Sequence, residues 1–344
     1  MRQKRVTHKD VAMRAGVSVA TVSYVINDGP RPVSADARRR VEAAIAELGY
    51  VPNELARSLR LQQTSLVGLI IPSLANPVYG EVARELERVC TQQGMLVVLC
   101  NSERAEDRER RFVRTLRSKQ VDGVVITPHG EALPLLEPLL AAHIPVVVLE
   151  HSLPGLHCIV IDELEGGRLA TEHLIDLGHR RIGLIRRNPT RAMSWQRHDG
   201  YRLALENGGI AYDPSLVVHC GSSQAEGYAA MQQLLALDKR PTAVFVHNDI
   251  LAMGVMRAIY DAGLSIPGDM SLVGYDDIAS AAYLSPPLTT VRIPKVEMGT
   301  LAGQTIMQLA QAGPELPPDL VPRTVTLSVE LILRCSTAAP QAGG

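Results

Sequence analysis

Apolar residues recur along this 344-residue chain in two different patterns, and the change falls near residue 64. Up to residue 62 they form short groups with helical spacing, and no stretch alternates apolar with polar residues. From Ser65 onward, near-continuous apolar runs alternate with longer amphipathic stretches. This second pattern is typical of buried parallel strands connected by helices. The chain is therefore predicted to have a small all-α head followed by an α/β body.

Three helices are predicted in the head from their capping residues. Thr7 is placed to cap the first helix and Asp10 to bond back to it, and Gly16 ends this helix. Ser18 caps the second helix, and Ser34 begins the third. The predicted helices cover about residues 8–15, 19–27 and 34–48. The order is helix, tight turn, helix, and then a supporting helix.

Nine apolar runs in the body are predicted to form strands. They cover residues 66–71, 95–100, 121–127, 144–149, 158–162, 181–185, 216–219, 243–246 and 272–275. A body of about 280 residues exceeds the size of one hydrophobic core, so we expect two similar lobes. The lobe boundary is predicted near residues 162–165.

Charge is distributed unevenly between the head and the body. Residues 1–62 contain 11 Lys and Arg against 6 Asp and Glu, whereas the remaining 282 residues contain 24 against 30. A basic segment attached to an acidic body favours a polyanionic partner such as DNA. On charge alone, a solvated basic face without a partner stays open.

Composition and motifs exclude several other classes of protein. The apolar runs are far shorter than the roughly 20 residues of a membrane span, and no apolar signal-peptide core follows the basic N-terminus. We therefore expect a cytoplasmic protein with no membrane partner. The five cysteines form no CxxC pair, and no phosphate loop, GxSxG or HExxH motif occurs. We expect no disulfide framework, no metal, no cofactor and no catalytic activity.

Polar side chains follow the carboxyl ends of several predicted strands, where open α/β sheets place their ligands. These residues are Asn76, Glu150, His151, Asp162, Asn248, Asp249 and Asp276. Their clustering predicts a ligand-binding cleft between the two lobes. The alternative is that each caps a strand end or joins an ion pair between the lobes.

The order and spacing of many motifs closely resemble the lactose/galactose repressor (LacI/GalR) family of bacterial transcription regulators. In the head these motifs are Asp10-Val11-Ala12, Ala15-Gly16-Val17-Ser18, Thr21 to Asn27, Val33-Ser34, Leu48-Gly49-Tyr50, Pro52-Asn53 and Ala56 to Leu59. In the body they include Asn76-Pro77, Val121-Asp122-Gly123, Ile144-Pro145-Val146, Gly166-Gly167, Asn248-Asp249 and Gly274-Tyr275-Asp276. The resemblance covers nearly the whole chain. It implies a helix-turn-helix head and a periplasmic-binding-protein-like body of two Rossmann-like lobes.

The predicted domain boundaries combine this resemblance with the change of pattern. Residues 1–51 form the helix-turn-helix domain, residues 52–63 the hinge helix and linker, and residues 64–344 the effector-binding and dimerisation domain. The late segments around Arg292 and Arg323 are expected to cross back between the lobes. The first lobe is predicted at about 64–163 and 293–323, and the second at about 164–292 and 324–338.

The resemblance and the geometry of a helix-turn-helix together imply which residues contact DNA. The second helix lies in the major groove, where small apolar groups meet a thymine methyl and hydroxyls reach bases or phosphates. The predicted DNA-binding residues of the head are Ser18, Val19, Ala20, Thr21, Tyr24, Asn27, Arg31 and Ser34. In the alternative, Ser18 and Ser34 only cap helices and Tyr24 only packs.

In the family, the hinge forms a minor-groove helix paired with its copy from a second subunit. By match, Leu59 opens the central base step, Ala56 lies beside the partner helix, and Arg57 follows the phosphates. An inserted apolar wedge costs a few kcal/mol of unstacking, which bending the DNA onto more protein surface recovers. A plain linker helix is the alternative.

The resemblance also implies an effector site in the body. Its predicted residues are Asn76, Tyr79, Glu150, His151, Arg191, Trp195, Arg197, Asn248 and Asp276. Carboxylates, amides and guanidinium groups hold pairs of sugar hydroxyls, and Trp195 is placed to stack on a sugar face.

One departure from the family pattern bears on the effector. Glu150-His151 stands where sugar-binding members commonly carry Asp-Arg, and with Arg191 and Arg197 nearby this favours an acidic or phosphorylated sugar. A purine is disfavoured because residues 78 and 222, the expected wall positions, are Val and Ser.

The sequence therefore predicts a transcription regulator, with repression as the expected mode, whose DNA affinity is controlled by a sugar or sugar acid bound between the lobes. Its expected partners are a pseudo-palindromic double-stranded operator, the effector and a second copy of the chain. A homodimer is expected, with a tetramer left open. The alternative is a soluble periplasmic-type binding protein that does not bind DNA.

Overall fold

The computed structural model describes residues 6–26, 31–51, 63–188, 195–312 and 320–341. The chain divides into two compact units, Met1–Thr64 and Ser65–Gly344, which we call the head and the body. In the described ranges, no helix combines the length and apolarity that a membrane crossing requires.

The head contains three helices with the predicted caps. They are α1 (His8–Ala15), α2 (Val19–Ile26) and α3 (Ala35–Leu48). Asp10 Oδ2 accepts a hydrogen bond from the backbone N–H of Thr7 at 2.8 Å. The hydroxyl of Ser18 accepts from the backbone N–H of Thr21 at 3.1 Å, and Ser34 caps α3 in the same way. These bonds satisfy N–H groups that the first turn of a helix leaves unpaired.

Packing in the head fixes the angle between α1 and α2. Gly16 ends α1 with φ +63°, a left-handed conformation that favours glycine, so α2 begins after a turn of three residues. Val11, Val22 and Val41, one from each helix, are fully buried against one another. The predicted helix-turn-helix arrangement is therefore present.

The body alternates strands with helices along most of its length. The strands are β1 (Leu66–Ile71), β2 (Leu96–Asn101), β3 (Gly123–Ile126), β4 (Val146–Leu149), β5 (His157–Ile161), β6 (Ile182–Arg187), β7 (Val217–Cys220), β8 (Ala243–Val246), β9 (Ser271–Asp276), β10 (Thr289–Arg292), β11 (Thr324–Leu327) and β12 (Glu330–Ile332). The helices are α4 (Pro77–Gln92), α5 (Glu106–Ser118), α6 (Ala132–Leu140), α7 (Glu163–Asp176), α8 (Gln196–Asn207), α9 (Gln224–Leu235), α10 (Asp249–Asp261) and α11 (Lys295–Ala312). All nine predicted strands occur within a few residues of their predicted positions.

The first lobe is built on a fully parallel sheet with the strand order β11-β5-β4-β3-β1-β2. Both faces of this sheet are covered. Within β3, Val125 packs in one hydrophobic core, whereas Val124 and Ile126 pack in the other. Burial on both faces explains why the strand reads as a continuous apolar run.

The second lobe has a sheet with the order β12-β10-β9-β8-β6-β7, parallel except for β12, which pairs antiparallel with β10. Helix α11 packs on α4 and on the first sheet, so the chain crosses back after β10 as expected. The predicted second crossing at residue 324 is placed too early. Thr324–Leu327 forms β11, which pairs with β5 and so belongs to the first sheet. The chain crosses to the second lobe only after β11, where β12 pairs with β10.

Two glycines bring α7 and α8 unusually close together in the second lobe. A Cβ atom on Gly200 would lie 2.1 Å from the carbonyl oxygen of Leu164, and one on Gly167 would lie 2.2 Å from that of Arg197. Only residues without a side chain permit this approach. The contact places the first turn of α8 beside the N-terminus of α7, which positions the site described next.

Candidate functional site

The head presents the first turn of α2 to solvent. Val19 and Ala20 are exposed, whereas Val22 and Val25 face the core. Tyr24, one turn further along, is half-buried. The exposed side chains are small and apolar, which suits contact with a thymine methyl in the major groove.

The polar residues predicted to meet DNA take part in local bonds. The Ser18 hydroxyl also shares a hydrogen bond with Thr21 Oγ1 at 2.9 Å. Arg31 and Ser34 are exposed. Capping does not use the full capacity of a hydroxyl, which both donates and accepts, so a phosphate contact by Ser18 or Ser34 stays a prediction.

Five of the predicted contact residues lie outside the described part of the chain. They are Asn27, Ala56, Arg57 and Leu59 for DNA and Arg191 for the effector. Their assigned roles stay predictions.

The body contains a cavity at the carboxyl ends of strands from both sheets. In the first lobe, Thr127 follows β3 and Glu150 follows β4. In the second lobe, Arg187 ends β6, His247 follows β8 and Asp276 ends β9. The polar side chains of two lobes therefore converge on one space, as the strand-end pattern predicted.

Arg197 forms the central ion pair of the cavity. Its guanidinium binds both carboxylate oxygens of Glu163, with Nη2 to Oε1 at 2.8 Å, and Nη1 donates to the carbonyl oxygen of His247 at 2.6 Å. It also stacks on the ring of Tyr275, 3.6 Å from the centroid. Burial alone would lower the pKa of Arg197, but Glu163 outweighs burial and raises it. The guanidinium group of Arg197 is therefore fixed in place, and Glu163 balances its charge.

A hydrogen bond joins the two lobes across the cavity. Asn76 caps α4 by accepting from the N–H of Val78 at 3.1 Å, which leaves its amide NH₂ to donate to Asp276 Oδ2 at 3.3 Å. Asp276 is 3% exposed and lies 3.9 Å from Arg197. Burial raises the pKa of Asp276 to about 6, although Arg197 opposes the shift.

Glu150 lies on the wall of the first lobe, where it accepts a hydrogen bond from the hydroxyl of Tyr79 at 3.3 Å. Its backbone has φ +62°, a conformation that costs energy for a residue with a side chain. Burial, followed by repulsion from Glu163, raises the pKa of Glu150 to about 7. Near neutral pH this carboxyl therefore both donates and accepts hydrogen bonds.

Two histidines of the cavity favour the neutral form. Burial lowers the pKa of His151, and burial together with Arg197 and Arg187 lowers that of His247 well below its ordinary value. At neutral pH neither ring adds positive charge. Each imidazole instead offers one donor and one acceptor to a ligand.

Most of the predicted effector residues meet in this cavity. Its lining includes Asn76, Tyr79, Glu150, His151, Arg197, Asn248 and Asp276. Trp195 is outside this lining. It stacks on Arg186 at 4.4 Å from the ring centroid, so the expected stacking surface for a sugar is not supplied by Trp195 in this conformation. Of the two expected wall positions for a purine, Val78 lines the cavity and Ser222 does not.

Sequence reasoning missed six polar residues that line the cavity. They are Arg104, Thr127, His129, Glu163, Arg187 and His247. Thr127, Glu163 and His247 follow strand ends, so the rule that found Asn248 also applies to them. Arg187 is the last residue of β6, two residues beyond the predicted end of that strand.

Comparison with known proteins identifies the family. Residues 7–53 match bacterial regulatory proteins of the lacI family, and residues 171–337 match a periplasmic binding protein-like domain. The chain is 42% identical to the ribose operon repressor of Escherichia coli (strain K12) over 299 residues, which cover 86% of this chain and 90% of that repressor. The chain belongs to the LacI family.

Two solved structures of LacI-family proteins extend the likeness. The lac repressor dimer bound to operator and the anti-inducer ONPF is 32% identical, with a TM-score of 0.85 and coverage of 98% of this chain and 100% of that one. A LacI family regulator from Enterococcus faecium with bound ribose is 29% identical, with a TM-score of 0.73 and coverage of 80% and 100%.

As a LacI-family member, the chain is a DNA-binding transcription regulator with an effector-binding body. The predicted family, fold class and function are confirmed. The alternative of a binding protein without DNA binding is not favoured, because the head matches the regulatory family.

Proposed function

We propose that this LacI-family protein is a dimeric repressor whose affinity for a pseudo-palindromic operator is set by a carbohydrate bound in the cavity of its body. It acts in the cytoplasm, where its DNA target lies. The carboxylates and guanidinium groups of the cavity bind the effector and perform no catalysis.

The observation that carries this proposal is the convergence of hydrogen-bonding groups from two lobes on one cavity. Arg197 is held rigid by Glu163, and Asn76 and Asp276 already form a bond across the cavity. A ring of hydroxyls suits these paired donors and acceptors. A ligand that contacts both lobes stabilises one arrangement of the lobes over others, which is the requirement for control at a distance.

Ribose is the first carbohydrate to test. The relative described above is a ribose operon repressor, and a structure of similar fold holds ribose. These names concern the relatives, so the test must include other pentoses, hexoses and nucleobases.

Thermal unfolding of the full chain with each ligand measures binding directly. A ligand at about 100 times its Kd stabilises the folded protein by about 2.7 kcal/mol. We expect such a shift with at least one sugar, its loss in Arg197→Ala, and its retention in Arg168→Ala. Arg168 is a matched control because it also forms ion pairs, with Glu165 and Glu172, but does not line the cavity. A shift with a nucleobase and with no sugar would overturn the carbohydrate proposal.

A further inference from the structure

Arg187 lines the cavity without a hydrogen-bond or ion-pair partner among the described residues. Its side chain is half-buried. A guanidinium carries five N–H donors and remains charged at all ordinary pH values. Burial and the nearby Arg104 both lower the pKa of Arg187. The protein therefore holds this cation in an unfavourable position.

Arg104 adds a second uncompensated cation from the opposite lobe. It lies in the loop between β2 and α5, with φ +59°, and its side chain also lines the cavity. No hydrogen bond or ion pair joins this side chain to another described residue. Arg104 and Arg187 therefore line the same cavity from opposite lobes, and Arg104 lowers the pKa of Arg187 by charge repulsion.

The remaining charges of the cavity do not neutralise this pair. Glu163 forms a two-point ion pair with Arg197, and Asp276 lies 3.9 Å from the same guanidinium, so both carboxylates are directed at Arg197. Glu150 attracts Arg187, but its carboxyl is partly protonated at neutral pH. Among the described residues, no carboxylate is therefore hydrogen-bonded or ion-paired to Arg104 or Arg187, although the cavity holds three carboxyl groups.

Two other features of the cavity also favour a ligand with negatively charged, hydrogen-bond-accepting oxygens. Asn76 and Asn248, the N-caps of α4 and α10, line the cavity, so the N-terminal ends of these helices, which carry partial positive charge, lie beside it. Thr127 is 3% exposed, lines the cavity, and its hydroxyl has no hydrogen-bond partner in the described residues. Such a buried hydroxyl is paired once a ligand supplies an acceptor.

From these observations we propose that the effector is an anionic sugar derivative, whose phosphate or carboxylate is bound jointly by Arg104 and Arg187. This inference rests on the proposed carbohydrate effector and specifies its charge. The groups that favour an acidic effector in the structure differ from those expected from the sequence. Arg197 is paired with Glu163, burial lowers the pKa of His151, and Arg191 lies outside the described residues.

Calorimetric titration of the full chain with matched ligands tests the proposal. The probes are D-ribose, D-ribonate and D-ribose 5-phosphate, with D-glucose, D-gluconate and D-glucose 6-phosphate as a second set. We expect at least one anionic member to bind roughly 10- to 150-fold more tightly than its neutral parent, as charge-assisted bonds to a guanidinium allow. Preference for the phosphate or for the carboxylate identifies which anion the pair binds, and either supports the proposal.

Variants separate this inference from the proposed function. Arg187→Gln and Arg104→Gln should each remove most of the anion preference, while Arg187→Lys keeps part of it. Arg114→Gln, an exposed arginine on α5 outside the cavity, should leave it unchanged. Equal or tighter binding of the neutral parent by the wild-type protein would overturn the anionic effector and leave the carbohydrate proposal intact. An anion preference that survives both Gln substitutions would also overturn it. Failure of every sugar in both sets to bind would overturn both proposals.

Discussion

Removing Glu163 should destabilise the body far more than removing a neighbouring carboxylate on the same helix. Glu163 and Arg197 have side chains only 12% and 15% exposed, and Glu163 accepts two hydrogen bonds from the guanidinium. Glu163→Ala leaves a buried arginine with one carbonyl partner and a carboxylate 3.9 Å away. An unpaired buried charge is costly because water no longer solvates it.

The size of the effect follows from the geometry. Breaking a buried ion pair by removing one partner costs about 3–5 kcal/mol, and the nearby Asp276 reduces this to about 2–4 kcal/mol here. For a unit of this size, each kcal/mol of lost stability lowers Tm by roughly 2–4 °C, so we expect a decrease of about 4–16 °C.

Glu165→Ala is the matched control. Glu165 lies on the same helix and pairs with Arg168, but these side chains are 35% and 28% exposed. More exposed pairs contribute about 0–1 kcal/mol, so Tm should change by no more than about 4 °C. Fluorescence of Trp195, the single tryptophan, reports unfolding of the body alone. Equal losses in the two variants would refute the assignment of Arg197 as a buried, Glu163-dependent cation.

Three further predictions concern packing, pH and DNA. Gly200→Ala should cost about 1–3 kcal/mol, because its Cβ would lie 2.1 Å from the Leu164 carbonyl, whereas Gly80→Ala, with no atom within 4 Å, should be neutral or stabilising in urea unfolding. The pKa of Glu150 is raised to about 7, so the stability it contributes is complete below about pH 4.5 and is lost as pH rises through 7. Glu150→Gln should therefore gain on the order of 2–3 kcal/mol over wild type at pH 8 and nothing at pH 4.5, and parallel pH profiles would contradict this. Operator affinity should fall steeply between about 50 and 200 mM salt, and Leu59→Ala should weaken operator binding more than binding to unrelated DNA. Equal weakening on both DNAs in fluorescence anisotropy would reduce Leu59 to a packing residue.

The sequence predicted the fold well wherever burial shapes the residue pattern. Strands buried on both faces, such as β1 and β8, are continuous apolar runs, and both occur at their predicted positions. Strands β10, β11 and β12 were not predicted, because their short sequences contain Thr or charged residues and form no continuous apolar run. Their pairing is decided by distant strands, which also explains the misplaced crossing at residue 324.

The candidate site was predictable in its position and less so in its charges. Strand ends located the cavity, but the sequence does not show which of two adjacent arginines faces it. Arg186 is buried and stacks on Trp195, whereas Arg187 lines the cavity, since successive residues of a strand point to opposite faces. Likewise, Arg197 was predicted to contact the effector, and only the packing of α7 on α8 shows that Glu163 pairs with it.

Control of DNA binding by a small molecule is the central claim, and operator binding with and without ligand tests it most directly. A pseudo-palindromic duplex is first selected with the full-length protein, and its affinity is then measured by fluorescence anisotropy at fixed salt. We expect D-ribose or D-ribose 5-phosphate to change that affinity by roughly 5- to 150-fold, the usual range of coupling between two sites. Arg197→Ala should bind the duplex with wild-type affinity and show no response. An affinity that stays unchanged with every ligand that binds the body would contradict the account.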